Sequence, residues 1–161
     1  MKKIILLRHG HTVPALPSVD DVDRELTIEG EQEILQAAQR IQQYHFNPQH
    51  ITTSPAIRAA KSAHIVAAEL EYPEASIEIQ PFLYLAPATD ILVFIEAFSN
   101  DWNSILILGH NPGLSECARL LSKKPLDDLK TATGYLMQWG KHSSWKKIAN
   151  GEEVLEAMEK I

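Results

Sequence analysis

Two uninterrupted apolar runs, Ile4-Ile5-Leu6-Leu7 and Ile105-Leu106-Ile107-Leu108, frame the first two thirds of the chain. Runs of this length and branching read as strands buried on both faces. Between and after them the apolar positions change period. Thr27 is placed to cap a helix reaching about Tyr44, with Ile34, Ala38 and Ile41 on one face. Ile51-Thr52-Thr53 reads as a short strand. Ser54 then stands as an N-cap and Pro55 as the first residue of a helix to about Leu70, with Ile57, Ala60 and Ala67 inward. Residues 76–80 suggest a strand, 89–98 a helix presenting Leu92, Ile95 and Phe98, 114–121 a helix, and 134–139 an alternating strand. The tail over 152–161 is compatible with a helix. Residues 11–26, with Pro14, Pro17 and acids at 20, 21, 23 and 25, read as an exposed loop. Strands alternating with helices predict an α/β fold, a three-layer α/β/α sandwich around a mostly parallel sheet.

Composition narrows the function classes. At 161 residues the chain is expected to form one domain. Its 45% hydrophobic and 22% charged residues are those of a globular protein. A net charge of −6 argues against a nucleic-acid surface, though a local arginine cluster can still bind phosphate. One cysteine, Cys117, allows no intramolecular disulfide and no cysteine zinc site. The apolar start is too short for a signal peptide and no stretch matches a membrane span, so a cytoplasmic, unprocessed chain is expected.

The chemistry-bearing residues follow the strands. Arg8-His9-Gly10 ends the first apolar run, Ser54-Pro55 with Arg58 follows the second strand, and Gly109-His110-Asn111 ends the later apolar run. Ligands of open α/β sheets gather at the carboxyl ends of parallel strands. If these strands are neighbours, two guanidiniums and two imidazoles converge on one anion site. There a neutral histidine can attack phosphorus, His9 as nucleophile, with Arg8, Arg58 and His110 neutralising charge. Gly10 lets the backbone come close and fix the His9 ring. Thr12, Ser54 and Asn111 are further candidates for phosphate contact.

Arg8-His9-Gly10 resembles the signature of the histidine phosphatase superfamily, which includes the cofactor-dependent phosphoglycerate mutases. Ser54-Pro55-Ala56-Ile57-Arg58-Ala59-Ala60 is similar to its second motif, Ser-Pro-x-x-Arg-Ala, and Gly109-His110-Asn111-Pro112-Gly113 to its third. Leu26-Thr27 with Gly30 resembles the Leu-Thr-x-x-Gly that opens the family's first helix. The resemblance spans residues 4 to about 122 and implies a phosphoglycerate mutase-like fold, a phosphorylated intermediate on His9, a phosphate pocket of Arg8, Arg58 and His110, and neither metal nor organic cofactor. Within the superfamily the chain resembles the small SixA-like phosphohistidine phosphatases. It is short, it carries Gly-His-Asn-Pro-Gly, and residues 59–88 are too few for a large helical insertion. Gly10-His11-Thr12, by contrast, resembles the mutase-like branch.

Many members of the superfamily protonate the leaving group with an acid after the second helix. Here that region reads Gln80-Pro81-Phe82-Leu83-Tyr84-Leu85-Ala86-Pro87, with no acid before Asp90. An imidazole leaves far more readily than an alkoxide, because its own nitrogen is protonated near neutral pH. The expected substrate is therefore phosphohistidine on a protein, unless Asp90 or an acid of the 20–25 loop folds over the site. A sugar phosphate or nucleotide phosphatase is the alternative, and a phosphate-recognising module without turnover a third. His11 is read as a rim residue, and a His9–His11 metal pair lacks a third ligand. His45, His50, His64, His142, Tyr84 and the tryptophans are read as structural or surface residues.

Overall fold

The computed structural model describes all 161 residues. Six strands, β1 (Lys2–Arg8), β2 (His50–Thr53), β3 (Glu78–Ile79), β4 (Ser104–Gly109), β5 (Gly134–Trp139) and β6 (Leu155–Lys160), form one sheet of order β3-β2-β4-β1-β5-β6. The first four in that order are parallel, and β5 and β6 are antiparallel to their neighbours. Helices α1 (Ile28–Gln43) and α2 (Ile57–Glu69) pack on one face. Helices α3 (Ala88–Glu96), α4 (Gly113–Ser122) and α5 (Trp145–Ala149) pack on the other.

The apolar runs behave as their pattern dictates. Ile4, Leu6, Ile105 and Ile107 belong to the core beneath α3, α4 and α5, while Ile5, Leu7, Leu106 and Leu108 belong to the core beneath α1 and α2. Side chains alternate across a strand, so only a strand covered on both faces buries a continuous apolar run. Each of these eight residues is fully buried, worth about 1.5–3 kcal/mol apiece. Thr27 caps α1 by accepting from the Gly30 amide at 2.9 Å. Burial pushes the Cys117 thiol up to about 12, leaving it a small hydrophobe.

Two expectations are corrected. α2 starts at Ile57, not Pro55, and its buried face carries Arg58, Ala59, Ser62, Ala63, Val66 and Ala67, leaving Ile57 exposed. The apolar Ile57 misleads because its neighbour Arg58 takes the buried position and turns Ile57 outward. The 152–161 tail is an edge strand, β6, preceded by α5, which Ser144 caps at Lys147. Its Glu-Ala-Met-Glu-Lys composition favours helix, but pairing with β5 overrides propensity, and its charges protect an exposed edge. The segment between α2 and α3 holds only β3 and two 3₁₀ turns, Glu74–Ser76 and Pro81–Leu83. No helix is long and apolar enough to cross a membrane.

Candidate active site

Strand register builds the site. Arg8 pairs with Gly109 and Thr53 with Leu108, so His9, Ser54 and His110 leave the sheet side by side at its carboxyl edge. There Arg8, His9, Arg58 and His110 converge on a cavity of about 460 Å³. Thr12, Asn111, His11, Asp21 and Arg24 also line it. No three His, Cys, Asp or Glu side chains are grouped as a metal site requires.

His9 Nδ1 lies 2.7 Å from the Gly10 carbonyl, which can only accept, so the proton sits on Nδ1 and Nε2 keeps its lone pair. Nε2 accepts weakly from Arg58 Nε at 3.4 Å. Burial, then the Arg58, Arg8 and Arg24 charges, lower His9 to about 4, the Gly10 bond opposing them. The ring is thus a neutral imidazole with its free nitrogen in an arginine-lined cavity. Gly10 is fitted closely behind it. A Cβ there would stand 2.5 Å from the Gly30 carbonyl oxygen of α1, and its amide donates to Ser62 Oγ.

His110 packs 5.1 Å from the His9 ring, centroid to centroid. Burial, then His9 and Arg58, lower it to about 3. Its Nε2 contacts Ser54 Oγ at 2.7 Å, and its Nδ1 is buried without a partner. Arg8 Nη1 and Asn111 Nδ2 both donate to the Leu129 carbonyl, at 2.9 and 2.8 Å, while the buried Arg8 Nε has no partner.

The 11–26 loop is not merely surface. Its 3₁₀ turn (Asp21–Asp23) brings Asp21 over the cavity, where Arg58 Nη2 donates to its carboxylate at 2.8 Å and Nη1 to its carbonyl. The Tyr84 hydroxyl donates to the same carboxylate at 2.6 Å, and Arg24 pairs with it at 3.0 Å. Tyr84, then Arg58 and Arg24, hold the Asp21 carboxyl far below the usual carboxylate range despite partial burial. Asp90 lies elsewhere, beside Phe82 and Phe94 of a separate groove.

Thr12 and Asn111 therefore reach the cavity wall, whereas Gly10 and Ser54 stand behind it, their polar groups already bonded. Tyr84, read as structural, edges His110 at 5.6 Å and binds Asp21. Arg24 carries no motif and reaches the site through bonds to Thr12 and the Val13 carbonyl. The acids and arginine clustered at 20–25 were its only sequence signal. His50 is buried, stacked on Trp102 at 4.2 Å, and outside the site.

A profile of the histidine phosphatase superfamily (branch 1) matches residues 4–83, covering two of the motifs that meet at this cavity. An uncharacterized protein of Picosynechococcus is 32% identical over 125 residues, 74% of this chain and 73% of that one. The chain belongs to the histidine phosphatase superfamily. An uncharacterized chloroplastic protein of Arabidopsis thaliana is 31% identical over 145 residues, 85% of this chain, and the chain spans 66% of its length. The fold of this superfamily member matches that of the protein histidine phosphatase SixA complexed with tungstate, with a TM-score of 0.79, 20% identity, and coverage of 97% and 95% of the two chains. It also matches a mycobacterial glucosyl-3-phosphoglycerate phosphatase complexed with VO3, with a TM-score of 0.69, 15% identity and 98% of each chain covered.

Burying two neutral histidines makes stability depend on pH. The folded values of about 4 for His9 and about 3 for His110 lie below the unfolded value near 6.5. As the pH falls through 6.5, the unfolded chain binds protons that the folded one refuses, so stability falls until the folded values are passed. The loss between pH 7 and 4 is on the order of 3 kcal/mol for His9 alone. Urea unfolding at pH 7, 5.5 and 4.5 should show it, with a flatter dependence in the His9→Asn/His110→Asn double variant. Equal slopes in the two proteins would refute the assignment.

Proposed function

We propose that this chain is a protein phosphohistidine phosphatase working through a phosphoryl intermediate on His9. Superfamily membership supports a phosphatase in general. One observation carries the finer reading: Asp21 is the only carboxyl group lining the cavity, and Tyr84, Arg58 and Arg24 keep it ionised. At neutral pH the site therefore holds no protonated acid for an alkoxide leaving group, since burial also keeps both histidines neutral. A phosphoimidazole protonated on its distal nitrogen needs none.

The His9 Nε2 lone pair attacks phosphorus. The substrate's P–N bond breaks, its electron pair stays on the departing nitrogen, and neutral imidazole leaves. Water then attacks phospho-His9, the new P–N bond breaks, and the pair returns to Nε2. The water proton passes to solvent. Arg8, Arg58 and His110 face the phosphoryl oxygens throughout, and Thr12 and Asn111 contribute to the wall. Apart from Arg58 the cavity is lined by strand ends and loops, which leaves room for a side chain carried on a protein.

The fold shared with the glucosyl-3-phosphoglycerate phosphatase favours a second reading, a small phosphate ester as substrate. A panel separates the two. Hydrolysis of a phosphohistidine-bearing protein should exceed that of sugar phosphates by at least ~10²-fold in kcat/KM, the ordinary worth of a general acid. A preference for a sugar phosphate would overturn the substrate assignment and keep the His9 chemistry.

A further inference from the structure

His9 and His110 are both neutral, both buried and in ring contact, yet their bonding differs. His9 gives its N–H to a carbonyl and keeps a lone pair for the cavity. For His110 the question turns on Ser54, which is fully buried. Its Oγ accepts from the Ala56 amide at 3.2 Å and touches His110 Nε2 at 2.7 Å. A hydroxyl has one proton to give. The Ser54 proton has no acceptor here other than His110 Nε2. Were Nε2 protonated, it would donate to Oγ and the hydroxyl proton would be stranded in the core, a cost buried polar groups avoid. Ser54 therefore donates to Nε2, and the His110 proton sits on Nδ1. That nitrogen is the buried atom left without a partner, on a residue that lines the cavity.

We infer that Ser54 is a positioning residue that locks His110 as the Nδ1–H tautomer, so that its unpaired N–H is a donor for a phosphoryl oxygen. This rests on the reading of the cavity as a phosphoryl site. Two adjacent imidazoles then share the Nδ1–H tautomer but spend opposite nitrogens on the protein, leaving a lone pair from His9 for phosphorus and an N–H from His110 for oxygen. A lone pair from His110 would repel the same anion. The arrangement also explains why Ser54, fully buried behind the cavity wall, belongs with the site although its hydroxyl touches no ligand space.

The test reads the tautomer directly. Long-range ¹H–¹⁵N correlation spectra of the ligand-free, ¹⁵N-labelled protein at pH 7 should show His110 protonated at Nδ1 and His9 likewise, with both Nε2 atoms pyridine-like. In Ser54→Ala, His110 should shift to Nε2–H or to a mixture, while His9 is unchanged. With p-nitrophenyl phosphate or a phosphohistidine-bearing protein, Ser54→Ala should lower kcat about 10-fold with little change in KM, because the donor matters most as charge builds on oxygen. An Nε2-protonated His110 in the unsubstituted protein would overturn the inference, even if the variant failed to fold. So would an unchanged Nδ1–H tautomer in Ser54→Ala. If the spectra behave as expected but neither substrate is hydrolysed, the functional reading fails and the tautomer assignment stands.

Discussion

His9→Ala is expected to abolish turnover, lowering kcat by ~10⁴-fold or more, the loss typical of removing a nucleophile. The size of the effect follows from the work given to one atom. Nε2 of His9 is the neutral, unprotonated nitrogen in the cavity, placed by the Gly10 carbonyl on its opposite side. On the proposed mechanism, removing the ring removes the group that breaks one difficult displacement into two easier ones. Rapid acid-free quenching during turnover should trap a phosphoryl label on the unsubstituted protein that is stable to alkali and lost in acid, as a P–N bond requires. The label should be missing from His9→Ala, which should keep its fold, since alanine clashes with nothing there. Turnover within tenfold of the unsubstituted protein, or a label on another residue, would sink the mechanism.

Much of this site was legible in the sequence because strands report themselves in apolar runs. Ile4–Leu7 and Ile105–Leu108 mark strands covered on both faces, and the residues that follow them must emerge at one sheet edge when the strands are parallel neighbours. Thr27 likewise marked the start of α1. Asp21, Arg24 and Tyr84 were harder to see. Asp21 and Arg24 are near neighbours in the chain, but Tyr84 lies 63 residues on from Asp21, with no period or motif to relate it to them. Composition marked the 11–26 loop as polar and proline-rich, and that is what an exposed loop and a loop folded over a polar cavity have in common. Ser54 was read as the N-cap of α2, but the cap position falls to Ala56, and the bond from Ser54 to His110 depends on how β2 and β4 are registered. Residues 152–161 misled for the opposite reason: their local preference is genuine, and the open edge of β5 outweighs it.

Arg58→Ala is the second large effect expected, a loss of ~10²–10³ in kcat/KM on any phosphoryl substrate. The guanidinium is buried at the start of α2, with Nε toward His9 and both Nη atoms on Asp21. A planar fork of this kind matches two phosphoryl oxygens at once. Arg58→Lys should recover little, because a lysine keeps the charge and loses the fork. The same residue helps keep His9 unprotonated: its charge adds to burial in lowering the ring to about 4. Arg58→Ala should therefore raise the His9 titration toward its ordinary range, followed by the His9 carbon-bound proton shifts against pH. Activity at mildly acidic pH should then fall more than activity at pH 8, because a protonated Nε2 has no lone pair to offer. Asp21→Asn tests the other side of the contact. The Asp21 carboxylate occupies the donors that a phosphate would use, so removing its charge should tighten inorganic phosphate binding several-fold while Arg58→Ala weakens it. An unchanged His9 titration in Arg58→Ala, together with activity within threefold of the unsubstituted protein, would show that the guanidinium serves the fold of the loop rather than the chemistry of the cavity.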